Sequence, residues 1–156
     1  MALLDLVKRS ELTGALSFSQ VDGNWTAIEN AINLGTSMYQ ATGMHCSDLT
    51  TAITTGTTKG YVNFPYAITI AGVYATVLTA PTGSGITIDI NDNGTTILST
   101  KLTIDAGENT SATAATPAVI SDSAISANTE ITIDFDVVGS TISGAGVIVW
   151  LIYNID

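Results

Sequence analysis

From about residue 60 onward the chain alternates apolar and small polar residues, as in Ile86-Thr87-Ile88-Asp89-Ile90 and Ile131-Thr132-Ile133-Asp134-Phe135-Asp136-Val137. A β-strand turns successive side chains to opposite faces, so a period of two specifies strands with one buried and one wetted face. The outward positions hold Thr and Asp, which solvate a sheet and discourage edge pairing. The residues before this stretch lack the alternation and need a separate account.

Turn residues cut the pattern into strands. The first is expected over 61–64, the second over 67–79 with Gly72 at a bend or bulge, and the third over 86–91. Asp92-Asn93-Gly94 reads as a tight hairpin, because Asn-Gly accepts the positive φ angles of a primed turn, and 95–104 is the returning strand. A longer crossing to Pro117, a weak strand at 118–120, a firm one at 131–137 and a last one at 147–155 follow. About seven or eight strands with mostly long connections suit a mainly β fold, a jelly-roll-like (Greek-key) antiparallel β-sandwich. In the last strand Val147, Val149, Leu151 and Tyr153 share one face, and Ile148, Trp150 and Ile152 share the other. Both faces therefore need cover, and a neighbouring subunit is the candidate for the second.

Ahead of the strands, Ser17-Phe18-Ser19-Gln20 has the spacing of a capping box, and a short α-helix is expected over about 19–34, stopped by Gly35. Val21, Trp25, Ile28 and Ile32 recur on one stripe, with Asp22, Glu29, Asn30 and Asn33 facing away. One helix of this length is marginal in water, so the stripe must pack on something. We expect residues 1–35 to be an N-terminal docking arm, 36–59 a Gly/Thr/Ser-rich connector with room for one or two edge strands, and 60–156 the β domain. Trp25 and Trp150 are the largest anchors available to docking or self-association.

Charge narrows the partners. Only 12% of residues are charged and the formal net charge is −10, so a nucleic-acid backbone would be repelled. Cys46 is the single cysteine, which rules out an intrachain disulfide. Lys8 and Arg9 follow the first apolar residues instead of preceding them, unlike a secretory signal, and the apolar run 144–155 is too short to cross a bilayer as a helix. No membrane insertion is expected.

Two stretches carry a resemblance. The segment over 12–32, with Val21-Asp22-Gly23-Asn24-Trp25 opening its helix, resembles the N-terminal segment of tailed-bacteriophage fibre proteins. The stretch from Tyr61 onward, with Ala80-Pro81-Thr82-Gly83-Ser84, the run over 93–108 and Val138-Gly139-Ser140-Thr141, is similar to a β-sandwich module of phage virion proteins. The resemblance implies a non-enzymatic virion structural protein, made in the host cytoplasm. It implies a homotrimer with the arm at the docking end and the sandwich displayed outward. Its partners would be its own copies, other virion proteins of the capsid, tail or portal region, and a host-surface glycan or protein. Typical tail fibres are several times longer, which leaves a short fibre, a capsid decoration (cement) protein and a tail appendage open. A carbohydrate-binding module is a further alternative, since one fold hosts many functions.

The residues offer little chemistry against which to weigh this. Asp89, Asn91 and Asn93 match the opening of a calcium loop, but the bidentate Glu such a loop needs is replaced by Thr100. Met44-His45-Cys46 holds the only His and the only Cys, without the further ligands a soft metal requires or a base to activate the thiol. Asp134 and Asp136 lie about 7 Å apart on one strand face, a separation glycosidases use, yet exposed carboxylates lack the burial that raises a pKa. Tyr61, Phe64, Tyr66 and Tyr74 are expected to serve core or interface packing before sugar stacking. No catalytic set, metal site or cofactor is expected.

Overall fold

The computed structural model describes residues Tyr39–Asp156. The helix expected over 19–34, and with it Val21, Trp25, Ile28 and Ile32, lies outside the described residues. The described part is mainly β, with strands β1 (Gln40–His45), β2 (Gly56–Asn63), β3 (Ile68–Thr79), β4 (Ile86–Asp92), β5 (Thr95–Thr96), β6 (Leu98–Thr100), β7 (Leu102–Ile104), β8 (Val119–Ile120), β9 (Ala124–Ile125), β10 (Glu130–Val137) and β11 (Ala145–Ile155). One 3-10 turn, Ser111–Thr113, interrupts the crossing between β7 and β8.

All strand pairs are antiparallel. The first sheet runs β1-β11-β3-β9, the second runs β2-β10-β4-β5 with β7 also on β4, and β6 and β8 form a short ribbon. The pairing is nested: β1 lies beside the last strand and β2 beside the one before it, with β3 and β4 on their far sides. Alternation sends Ile86, Ile88, Ile90, Ile131, Ile133 and Phe135 of the second sheet and Val147, Val149 and Leu151 of the first into one shared core. Each of these is at most 2% exposed, so both sheets depend on the same buried cluster.

Several strand expectations hold and several are corrected. The hairpin after β4 pairs Asp92 with Thr95, and Asn93 and Gly94 take φ of 46° and 77°, the left-handed pair a primed turn requires. Gly72 sits at the register shift of β3 against β11, where Ala71 is the extra residue. The one or two edge strands allowed for in the 36–59 connector are present as β1 and the start of β2, each at the edge of its sheet, so the compact unit begins at Tyr39 and not at residue 60. The outward residues of β1 are Ala41, Gly43 and His45, so its alternation is faint, although its inward Met44, and Cys46 just past its end, are buried. The strand expected over 95–104 is broken into β5, β6 and β7, because Ile97 and Leu98 are both buried and the chain changes sheet there.

Candidate functional site

The outer face of the first sheet carries the apolar residues that the alternation of β11 sends away from the core. Ile148, Trp150 and Ile152 are half-buried there, while their neighbours Val149, Leu151 and Tyr153 are in the core. Trp150 is paired with Gly43 on one side and Tyr74 on the other. A Cβ built on Gly43 would meet the Trp150 ring at 2.8 Å, so the indole lies over bare backbone. Glycine at this place in β1 makes room for the ring, which is why the strand is hard to read in sequence. Leu78, at the far end of the same face of β3, is 63% exposed. The face is a sheet surface with large side chains and few charges, the composition of an interaction surface. Gly43→Ala should push the indole off the strand and destabilise the domain by about 1–3 kcal/mol, as an overpacked site does, and a denaturant titration measures it.

The outer face of the second sheet is polar and tied together. Asp89, 7% exposed, accepts from Thr96 Oγ1 at 2.5 Å and faces Lys101 Nζ at 2.9 Å. Lys101 also donates to Asp136, so two carboxylates share one ammonium. Hydrogen bonds to Asp136 and then Asp89 hold the Lys101 pKa above its ordinary value. The neighbouring Asp134 accepts from the backbone N–H of Thr58 at 2.7 Å and from Asn91 Nδ2 at 3.1 Å. Asp134 and Asp136 thus face away from the core as the alternation requires, but both are engaged. Asp89, Asn91 and Asn93 do not converge: the first is bound to Lys101, the second to Asp134, and the third turns the hairpin. Among the described residues no group of three or more His, Cys, Asp or Glu is placed to hold a metal.

The remaining candidates separate as well. His45 is exposed and Cys46 is buried, on opposite faces of the sheet. Burial pushes the Cys46 thiol up to about 11, the reverse of what a nucleophile needs. Phe64 is buried edge-on to Tyr153, with ring centroids 4.9 Å apart, and the Tyr74 hydroxyl accepts from Thr110 Oγ1 at 2.8 Å. Tyr61 and Tyr66 are exposed. A thiol that ionises near 9.0 when unfolded and at about 11 when folded keeps its full stabilisation below pH 9.0 and loses it as the pH rises toward 11. The melting temperature should therefore drop over that range, and Cys46→Ala should flatten the decline. Alkylation of the folded chain at pH 8 should be slow and should become fast only in denaturant.

Neither His45 nor Cys46 was more than an incidental pair in sequence, whereas the Thr58–Asp134 bond joins residues 76 positions apart and has no local signal. Compared with family models, curated proteins and solved structures, the chain matches none of them.

Proposed function

We propose that the chain is a non-enzymatic structural component of a phage virion, a short trimeric fibre or appendage that docks through residues 1–35 and displays the β domain toward a host surface. We read that domain as a jelly-roll sandwich. The nested order supports this, since β1-β11-β3-β9 over β2-β10-β4-β5 is the order of two interlocked Greek keys closing into two sheets. The observation that carries the assembly is the Trp150 face: a half-exposed indole flanked by Ile148 and Ile152 gains by being covered. A second copy of the chain is the cover that a threefold assembly supplies.

Deleting residues 1–35 tests the division of labour. The truncated chain should keep its strand circular dichroism and lose incorporation into particles; normal incorporation would refute the docking arm. Trp25→Ala is a finer probe, because a buried Trp at a contact centre is commonly worth about 2 kcal/mol, so docking should weaken roughly thirtyfold. A lowered melting temperature with normal incorporation would instead show that Trp25 serves its own subunit's fold.

A further inference from the structure

A groove of about 400 Å³ opens on the outer face of the second sheet, bordered by Thr58, Asn91, Asn93, Glu130, Thr132 and Asp134. Its wall exists because β2 arches. Ile133 pairs with Gly60 and Phe135 with Gly56, so four steps along β2 cover two along β10 and the surplus lifts Thr57 and Thr58 over the face. Thr58 has φ 53°, a left-handed conformation that a β-branched residue rarely adopts. The N–H bond to Asp134 holds it there. Backbone strain of this kind persists where its surroundings fix it, and it collects at ligand clamps.

The chemistry of the border selects a ligand. Hydroxyl, amide and carboxylate groups stand together, and Tyr61, 57% exposed, is the direct cross-strand partner of Thr132, which puts its ring on the same face beside the groove. A flat aromatic next to fixed hydrogen-bonding groups matches a pyranose, whose C–H face packs on a ring while its hydroxyls reach amides and acids. A cation is disfavoured, because Glu130 and Asp134 are the only carboxylates bordering the groove and no group of three or more His, Cys, Asp or Glu among the described residues is placed to hold a metal. An anionic ligand is disfavoured by Glu130, Asp134 and Asp89, and Lys101 is committed to Asp89 and Asp136.

We propose that this groove binds a neutral saccharide, with Tyr61 as the stacking platform and Asn91, Glu130 and Asp134 as the groups that take its hydroxyls. The biological meaning rests on the display role proposed above, but the test does not. The full chain is applied to a printed array of neutral oligosaccharides built from hexose, deoxyhexose and N-acetylhexosamine units, together with their sialylated counterparts. The strongest neutral ligand is then titrated calorimetrically against the wild type, Tyr61→Ala and Tyr61→Phe. We expect neutral ligands alone to bind, Tyr61→Ala to weaken binding by about tenfold, and Tyr61→Phe to retain most of it. Absence of any neutral ligand, preference for the sialylated set, or unchanged affinity in Tyr61→Ala overturns the proposal. Because Tyr61 lies outside the arm, Tyr61→Ala should still enter particles, so a failed groove and a failed docking role give different results.

Discussion

Phe135→Ala is expected to lower the unfolding free energy of the domain by about 3–5 kcal/mol, the range for truncating a buried aromatic. Phe135 is 2% exposed and central in the second sheet, between β2 and β4, with Ile88 opposite it on one side and Gly56 on the other. Glycine offers no side chain to collapse into the space the ring would leave, and the sheet backbone is held by pairing on both sides. The cavity should therefore stay largely open, facing the core that both sheets share. Against a total of about 5–15 kcal/mol for an ordinary domain, the variant keeps little margin. Phe135→Leu, which removes less volume, should cost about 1.5 kcal/mol or less. Urea titrations of the three proteins measure this, and a loss below about 1 kcal/mol for the alanine variant would mean that the two sheets do not share one cooperative core.

Trp150→Ala should act on assembly far more than on folding. If each subunit of a closed trimer presents this face once, three identical contacts each lose about 2 kcal/mol or more, and every contact weakens roughly thirtyfold. At low micromolar concentration the variant should sediment as the 16.1 kDa chain while the wild type sediments at three times that mass. The fold loses only what the half-buried ring gains over Gly43 and beside Tyr74, so the melting temperature should move by a few degrees. A trimer that survives the substitution would place the contact elsewhere, and a wild-type monomer would remove the face as a subunit contact.

The parts of this fold that were legible in sequence are those where one strand carries its own pattern. Residues of β4, β10 and β11 alternate so strictly that their inward sets could be named directly, and Asn93-Gly94 marked its hairpin. The two-faced character of β11 likewise pointed to Trp150 as an outward residue. What escaped was whatever depends on a distant partner. The weak pattern of β1 follows from Gly43 lying under Trp150, more than a hundred residues away, and the arch of β2 is held by Asp134. The split of residues 95–104 into three strands reflects a change of sheet, a tertiary demand with no local code. For the same reason the acidic residues of the second sheet read as simple solvation, whereas Asp89 is buried against Lys101 and Asp134 is a clamp. The groove beside Tyr61 was invisible because its border comes from β2, the hairpin after β4, and β10, which only the pairing order brings together.

Locating the chain in an assembled particle decides whether it is a displayed virion component. Virus particles released from cells that carry this sequence would be purified and imaged by electron cryomicroscopy to a resolution that separates strands. We expect density for three copies at each attachment point, with the first 35 residues against another virion protein and the β domain pointing outward. Particles that lack the chain, or that carry it as isolated single copies with the β domain buried against the shell, would contradict it.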